Sequence, residues 1–355
     1  MNPAPPPDAL LLEHAPHPAP HPATEALEHA GLRVRVCRVW AGEGVPGALE
    51  GVVAVVLTDG TDGTYGDGGR ELPGGSAELT LLRAALTAEV PVLGVGLGAR
   101  LLDRAAPGGT GAGLREGLRE GTTGSGEAGD VRVWPPLPAG PGAPAPLLAR
   151  FADHAARRSA LTATRAFFTP RAADWEARFA ADGPRYAAAV ARMGLRGGQR
   201  ALDVGCGSGR ALPALRAEVG PAGAVLGVDL TPAMLTATAR EGRGALARLL
   251  LADACRLPLA PGAVDGVFSA GLINHVPDPA AALAEWARVT RPGGVLLLFH
   301  PSGRAERAAR HGRALDSADP LARGNLHPTL EATGWRPAHY EDAPQHFLSR
   351  AVRVG

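Results

Sequence analysis

Apolar and polar positions along the chain switch between two periods, and they do so in two separate blocks. In the first, "EALEHAGLRVRVCRVW" has helical spacing up to a stop at Gly31 and then reads as a strand from Leu32 to Val39. "GVVAVVLTD" is apolar almost throughout, as expected of a strand covered on both faces. "SAELTLLRAALTAEV" returns to the helical period, with Ser76 as a cap and Leu79, Leu82 and Leu86 on one stripe, and "PVLGVG" supplies a further strand. Strands alternating with helices over Leu32–Leu102 predict a small α/β domain with a parallel sheet.

The order then lapses. From Pro107 to Leu148, 18 of 42 residues are Gly or Pro. Ordering such a segment costs chain entropy that its few apolar groups cannot offset. It is expected to be a linker over 107–154 holding at most one short strand at "DVRVW", or else an ordered excursion of the first domain, which would span 1–106. In the second block, 155–355, "ADWEARFAADGPRYAAAVARMG" places Trp175, Phe179, Tyr186, Val190 and Met193 near a common face of one or two helices. "ALDVGCGSGRALPALRAEVG" then reads as strand, glycine turn and helix, and "AVLGVDLTPAMLTATARE" as strand, acidic residue and helix. "LLLADACRLPL" is a strand ending at an Asp, "AVDGVFSAGLINHV" a fourth strand, and "AALAEWARVTRPGGVLLLFH" a helix, a Pro-Gly-Gly turn and a fifth strand. The tail fits a helix and an antiparallel edge hairpin. A doubly wound sheet follows for this block.

Composition narrows the function. The 355 residues suffice for two domains, and 45% apolar content builds ordinary cores from Ala, Leu and Val, since aromatics are only 4%. A net charge of +1 without a dense Lys/Arg block argues against a nucleic-acid partner. Cys37, Cys206 and Cys255 show neither metal-ligand spacing nor a disulfide ladder. The opening "MNPAPPPDAL" lacks the features of a signal peptide, and no apolar run approaches the ~20 residues of a membrane span. A soluble cytoplasmic protein with no membrane association is expected.

The strongest local signal is "ALDVGCGSGRAL", where a strand runs into Gly205, Gly207 and Gly209. Glycines there let the backbone turn sharply and admit a bulky ligand. Asp229 follows Asp203 by 26 residues, and a carboxylate at the end of a second strand can accept both hydroxyls of a ribose. Together with "VLGVDLTPAML", "LLLADACRLPLAPGAVDGVFSAGLINHVPD" and "ARVTRPGGVLLLF", these residues resemble the class I S-adenosylmethionine-dependent methyltransferases, in particular the small-molecule (type 11) group, over about Arg171–Val354. The resemblance implies a Rossmann-like fold and S-adenosyl-L-methionine as cofactor. It also implies that Asp203 helps hold the methionine amino group, while the turn Gly205–Cys206–Gly207–Gly209 passes under the methionine and sugar. By the same resemblance Asp229 binds the ribose, Leu230 packs on the adenine, Asp253 faces its exocyclic amine with the Ala254 backbone nearby, and Ala270 lies near the methionine portion.

Methyl transfer needs an electron-rich atom held in line with the methyl and shielded from water. An oxygen acceptor usually also needs a base. His275 in "GLINHVPD" and His300 at the end of "VLLLFH" stand at strand ends that point to the ligand crevice, with His327 in "NLHPTL" as a third candidate. The rival role, which the resemblance implies for the His275 position, is to shape the cofactor pocket only. Phe168, Trp175 and Tyr186 are either walls of a lid or plain helix packing.

In the first block, "PVLGVGLGARLLDRAAPGG" has the strand–turn–helix form that displays a nucleophile, yet Gly96 occupies the turn. Glu13–Gly109 resembles the class I glutamine amidotransferase domain, which implies a smaller flavodoxin-like sheet and a cysteine at the Gly96 position. Glycine supplies no thiolate, no clear His-x-Glu pair appears, and His154 lacks the expected acidic partner. The expectation is a degenerate domain without glutaminase activity, or simply a tight turn. The whole chain then reads as a methyltransferase for a small molecule, with homo-oligomer or partner contacts through the first domain. The rival readings are a peptide or protein methyltransferase and a non-catalytic cofactor-binding scaffold.

Overall fold

The computed structural model describes residues 7–17, 20–60, 75–105 and 145–355. The chain divides into two compact units, Met1–Ser159 and Ala160–Gly355.

In the first unit, β1 (Asp8–His14) precedes the stretch that the pattern covers, and α1 (Pro22–His29), β2 (Arg33–Arg38), β3 (Val52–Gly60), α2 (Gly75–Thr87), β4 (Val92–Gly94) and α3 (Leu97–Ala105) alternate as the pattern predicts. The four strands form one sheet in the order β2-β1-β3-β4, with every pair parallel. Period-two alternation sends Ala9, Leu11, Ala54, Val56 and Leu93 to one face and Leu10, Leu12, Val55, Leu57 and Val92 to the other. Both faces are covered, which is why β1 and β3 read as unbroken apolar runs. Leu81, Leu82, Leu101 and Leu102 of α2 and α3 cover the second face. The first is covered by Ala23 and Leu27 of α1, and also by α4 (Ala145–Phe168).

That helix corrects the expected linker at its C-terminal end. Leu148, Phe151, Ala152 and Ala155 lie on one helical stripe and are buried in the first unit's core. Burying this stripe fixes 145–154 as helix despite the prolines just before it. The rest of the expected linker, including "DVRVW" and the glycine-rich runs, lies outside the described residues, as does the loop 61–74.

The second unit continues through α5 (Trp175–Phe179) and α6 (Gly183–Ala191), then β5 (Arg200–Val204), α7 (Leu212–Val219), β6 (Ala224–Asp229), α8 (Pro232–Arg240), β7 (Arg248–Leu251) and β8 (Val264–Ala270). It ends with α9 (Pro279–Val289), β9 (Thr290–His300), α10 (Arg304–Arg310), α11 (Arg323–Ala332), β10 (Trp335–Ala343) and β11 (His346–Arg353). Its seven strands run in the order β10-β11-β9-β8-β5-β6-β7. The chain steps outward from β5 to β6 and β7, then returns to β8 on the other side. This reversal opens a crevice at the carboxyl ends of the strands. The predicted hairpin is present, with β11 antiparallel to both β10 and β9. Leu202, Val204, Val267 and Leu296 face a core closed by Trp286 of α9 and Leu330 of α11. Ala201, Phe268, Leu297 and Phe299 face α6 and α7.

Two details differ from the sequence reading. The Pro-Gly-Gly stretch lies inside the span of β9 as a bulge: Val264 pairs with Thr290 and Gly266 with Val295, so residues 291–294 bow out opposite Asp265. β7 ends at Leu251, and Asp253 sits beyond it, bridged to Arg256.

Candidate functional site

The carboxyl ends of β5 and β6 meet around the glycine turn. Gly205, Gly207 and Gly209 all have positive φ, at 70°, 54° and 77°, a region that L side chains rarely occupy. A Cβ at Gly205 would come 2.9 Å from Leu272 Cδ2 and one at Gly209 2.7 Å from Thr238 Cγ2, whereas one at Gly207 would meet nothing within 4 Å. The turn is therefore packed at both ends and open in the middle, as a cradle for a ligand requires. Cys206 points inward, its Sγ filling the space that Gly227 of β6 leaves, and burial holds its thiol well above the ordinary range. It is packing, not a reactive group.

Asp229 closes the turn from β6. Its Oδ2 accepts from the Gly207 amide at 2.9 Å and its Oδ1 from the Thr231 amide at 2.8 Å. Burial raises its pKa, and these amide bonds oppose the rise. Asp203 is buried with 2% exposure, and its carboxylate accepts no hydrogen bond among the described residues. Burial, and then the charge of Asp229, push its pKa up to about 8. A buried carboxyl in this state is stabilised by an incoming cation. Leu230 follows Asp229 and its carbonyl accepts from Arg165 Nε at 3.1 Å. Asp253 accepts from the Cys255 amide at 2.9 Å, the Ala254 carbonyl from Trp286 Nε1 at 2.9 Å, and Ala270 ends β8. The topology thus brings Asp203, the turn, Asp229, Leu230 and Ala270 to the strand ends of the sheet, with Asp253 just past β7.

Side chains that carried no motif hold the turn from outside. Glu176 of α5 accepts from Arg243 Nη1 and Nη2 at 2.8 and 2.7 Å and from Ser208 Oγ at 3.1 Å. The Arg243 bond brings its pKa down to about 2. Arg210 lies 3.5 Å from Glu176 and 3.6 Å from Asp182, beneath Phe179 and Tyr186. Arg210 directly follows the turn in "GSGR", the one signal from which sequence reasoning had a chance to find this clamp. Arg243 and Glu176 are 67 residues apart, and only folding pairs them.

Of the aromatic residues expected as lid, Tyr186 packs on the sheet against Phe299 and Phe268, with ring centroids 5.2 and 6.2 Å away. Burial pushes its pKa to about 12. It belongs to the core rather than to a wall. Phe168 and Trp175 meet at 5.7 Å, and Phe168 also stands edge-on to His275 at 5.2 Å. His275 follows β8 in a 3-10 turn, Ile273–His275, with an exposed ring; crowding by the surrounding protein and then the charge of Arg307 lower its pKa. His300 ends β9, where its Nδ1 lies 3.0 Å from the Ser302 carbonyl and 3.1 Å from the Ser302 amide. Burial first, with Arg307 next, brings its pKa to about 4. Their surroundings lower the pKa of both imidazoles, and Gly271 lies against His300. His327 lies apart from them, on α11 and edge-on to Tyr340.

In the first unit, Gly96 has φ 51° and heads the turn into α3. The Asp59 carboxylate of β3 sits over it: a Cβ at Gly96 would fall 2.1 Å from Asp59 Oδ1, which accepts from the Leu97 amide at 2.9 Å. His14 at the end of β1 lies 3.3 Å from the buried Glu78, and its Nδ1 donates to the Thr58 carbonyl at 3.0 Å. Cys37 is buried in β2, as packing, and burial raises its pKa.

Comparison with known proteins agrees with the position of the crevice. Residues 202–298 match the model of the methyltransferase domain family. The chain is 40% identical over 110 residues to an uncharacterized 37.1 kDa protein in transposon TN4556 of Streptomyces fradiae, covering 31% of this chain and 32% of that protein. It is 38% identical over 112 residues to the demethylmenaquinone methyltransferase of Staphylococcus aureus, covering 31% of this chain and 46% of that enzyme. The chain thus spans less than half the length of these curated relatives. Among solved structures, the complex of the Haloferax volcanii Trm112 methyltransferase activator with a methyltransferase aligns at 22% identity over 53% of this chain and 98% of that one, with a TM-score of 0.44. The geranyl diphosphate C-methyltransferase of Streptomyces coelicolor A3(2) aligns at 16% identity over 51% of this chain and 84% of that one, with a TM-score of 0.41. The matched residues lie within the C-terminal unit, which thus carries a methyltransferase-like domain.

Proposed function

We propose that this protein transfers a methyl group from S-adenosylmethionine to a small-molecule acceptor, and that its first unit hydrolyses no glutamine. The observation that carries the first part is the open-centred glycine turn flanked by Asp203 and Asp229. When bound, the cofactor supplies a methyl group on a positively charged sulfur, already activated for displacement. The chain's part is to bind and orient. Asp203 accepts from the amino group, Asp229 from the ribose hydroxyls, and Asp253 from the adenine amine, each a charge-assisted bond. The turn gives close backbone approach, and Leu230 and Ala270 pack against the ligand. The acceptor exchanges a proton for the methyl, and that proton leaves to an imidazole or to water. His275 suits this role better than His300. Its ring is held by aromatic contacts and faces outward, whereas His300 Nδ1 is engaged by Ser302.

The absence of glutaminase chemistry rests on Gly96 and on the Asp59 carboxylate lying where a nucleophile would stand. The strand order of the first sheet has the pattern of the first four strands of the flavodoxin-like doubly wound type, in keeping with a degenerate amidotransferase-like domain over about 1–106. That domain is read as a surface for a partner protein or a second copy, in a cytoplasmic protein. The test is calorimetric titration with adenosylhomocysteine, followed by methyl transfer from labelled cofactor to a small-molecule panel. Micromolar binding with at least one labelled product is expected. Binding with an empty panel favours the scaffold, and no binding removes the proposal.

A further inference from the structure

The segment between α4 and α6 has little to hold it by itself. α5 (Trp175–Phe179) has five residues, and a helix that short is unstable unless tertiary contacts fix it. Those contacts run in two directions. On one side Trp175 packs edge-on to Phe168 at 5.7 Å, and Phe168 stands edge-on to His275 at 5.2 Å. α5 thus backs an aromatic wall beside the imidazole proposed to take the proton. On the other side the next residue, Glu176, grips the glycine turn. Its carboxylate accepts from Ser208 Oγ at 3.1 Å and from both Nη atoms of Arg243, whose Nη1 also donates to the Ser208 carbonyl at 2.9 Å. Arg210 adds a second tie, donating from Nη2 to the Trp175 carbonyl at 3.1 Å.

Within the turn, Gly207 is held as closely. Its amide donates to Asp229 at 2.9 Å and its carbonyl accepts from Thr238 Oγ1 at 2.7 Å. Ser208 therefore joins two elements: its backbone continues the open-centred cradle, and its side chain is one on which α5 hangs. Glu176 is 25% exposed and Arg243 20%, so the bidentate pair is partly shielded from water and holds its geometry better than a surface pair.

We propose that Glu176 is a positioning residue that couples the two halves of the site, so that a ligand on the glycine turn docks α5 and with it the aromatic wall on the acceptor side. Such coupling is reciprocal: what steadies the turn steadies α5, and the reverse. A turn already fixed by a ligand presents Ser208 in one place, which lowers the entropy cost of holding Glu176 and Arg243 in register. The acceptor side is then completed only after the turn is occupied, which sets an order of binding. Glu176 acts through Ser208 and Trp175 rather than on a reactant. The proposal rests on the methyltransferase reading above, which puts the cofactor on the turn.

Amide hydrogen exchange on the full-length chain, with and without saturating adenosylhomocysteine, tests this. In the wild type the ligand should slow exchange of 175–179 together with 205–209, by about tenfold, an ordinary coupling. Glu176→Gln should bind about tenfold more weakly, the loss of one charge-assisted hydrogen bond. At saturation it should still protect 205–209 and no longer 175–179, and Glu176→Asp should recover part of both effects. Arg353→Gln removes hydrogen bonds to the Ala287 and Gly334 carbonyls at the edge hairpin, a structural loss that does not touch the latch, and should keep the wild-type pattern. Protection of 175–179 that survives in Glu176→Gln, or is missing from the saturated wild type, would overturn the coupling, as would its loss in Arg353→Gln. Should Glu176→Gln not fold, Ser208→Ala cuts the same link at its other end and must give the same loss. A wild type that binds no adenosylhomocysteine would strike the methyltransferase reading. The latch is then judged in the free protein, where Ser208→Ala must speed exchange of 175–179 or the coupling falls as well.

Discussion

The two units solve one backbone problem and put it to opposite use. In each, a parallel strand enters a tight turn with a positive-φ glycine and then a helix. In each, a carboxylate from the adjacent strand docks on an amide of that turn: Asp59 on Leu97 and Asp229 on Gly207, both at 2.9 Å. The difference is the space that remains. At Gly96 a Cβ would strike Asp59 at 2.1 Å, while at Gly207 it would meet nothing within 4 Å. A carboxylate that fills a turn ends its chemistry, whereas a carboxylate that braces a turn from the side keeps the turn available. The presence of a strand–glycine–helix motif is thus a weaker functional signal than the volume left above it.

Three substitutions sharpen or break this contrast. The largest effect is expected for Asp229→Ala, which removes the brace and the proposed ribose acceptor together. Two charge-assisted hydrogen bonds at ~1.5–3 kcal/mol each predict that the adenosylhomocysteine Kd rises by more than about a hundredfold. Unchanged affinity in a folded variant would end the comparison. Next comes Gly96→Cys, which restores the residue type of the elbow. It should destabilise the first unit by about 1–3 kcal/mol through overpacking and the strained φ and yield no glutamine hydrolysis. Adding Asp59→Ala should recover part of that loss, because the two sites share one space; thermal unfolding of the single and double variants checks this. Glutaminase activity in Gly96→Cys would show that the turn is not blocked.

The smallest of the three effects concerns protons. Asp203, with its pKa near 8, is protonated at neutral pH in the free protein. A bound ammonium stabilises the ionised form, so binding releases this proton below about pH 8 and none well above it. Adenosylhomocysteine affinity should therefore weaken by up to tenfold as pH falls from 8 to 7. Calorimetry in two buffers of different ionisation heat should detect the release in the wild type and not in Asp203→Asn. The elbow at Gly96, filled by its own carboxylate, predicts no counterpart in the first unit.

Much of the site was legible locally. Glycines at 205, 207 and 209 and acids at 203 and 229 occupy positions that backbone geometry and ligand chemistry restrict at short range, so they stand out in a linear reading. The extent of α4 was not legible, because 145–154 is helical by virtue of Phe151 and Leu148 finding the first sheet. Tyr186 read equally as a lid wall or as plain helix packing, because a helical face does not state what it packs on.

Sequence alone determined the alternation of strands and helices, the two sheets and the glycine turn proposed as the cofactor's cradle. Those follow from side-chain periodicity and from φ preferences that act within a few residues. Tertiary structure decided which of the two turns stays open, and which carboxylate blocks and which braces. Those outcomes depend on residues 20 to 70 positions apart sharing one small volume, and occupancy of a volume is not written in any local pattern.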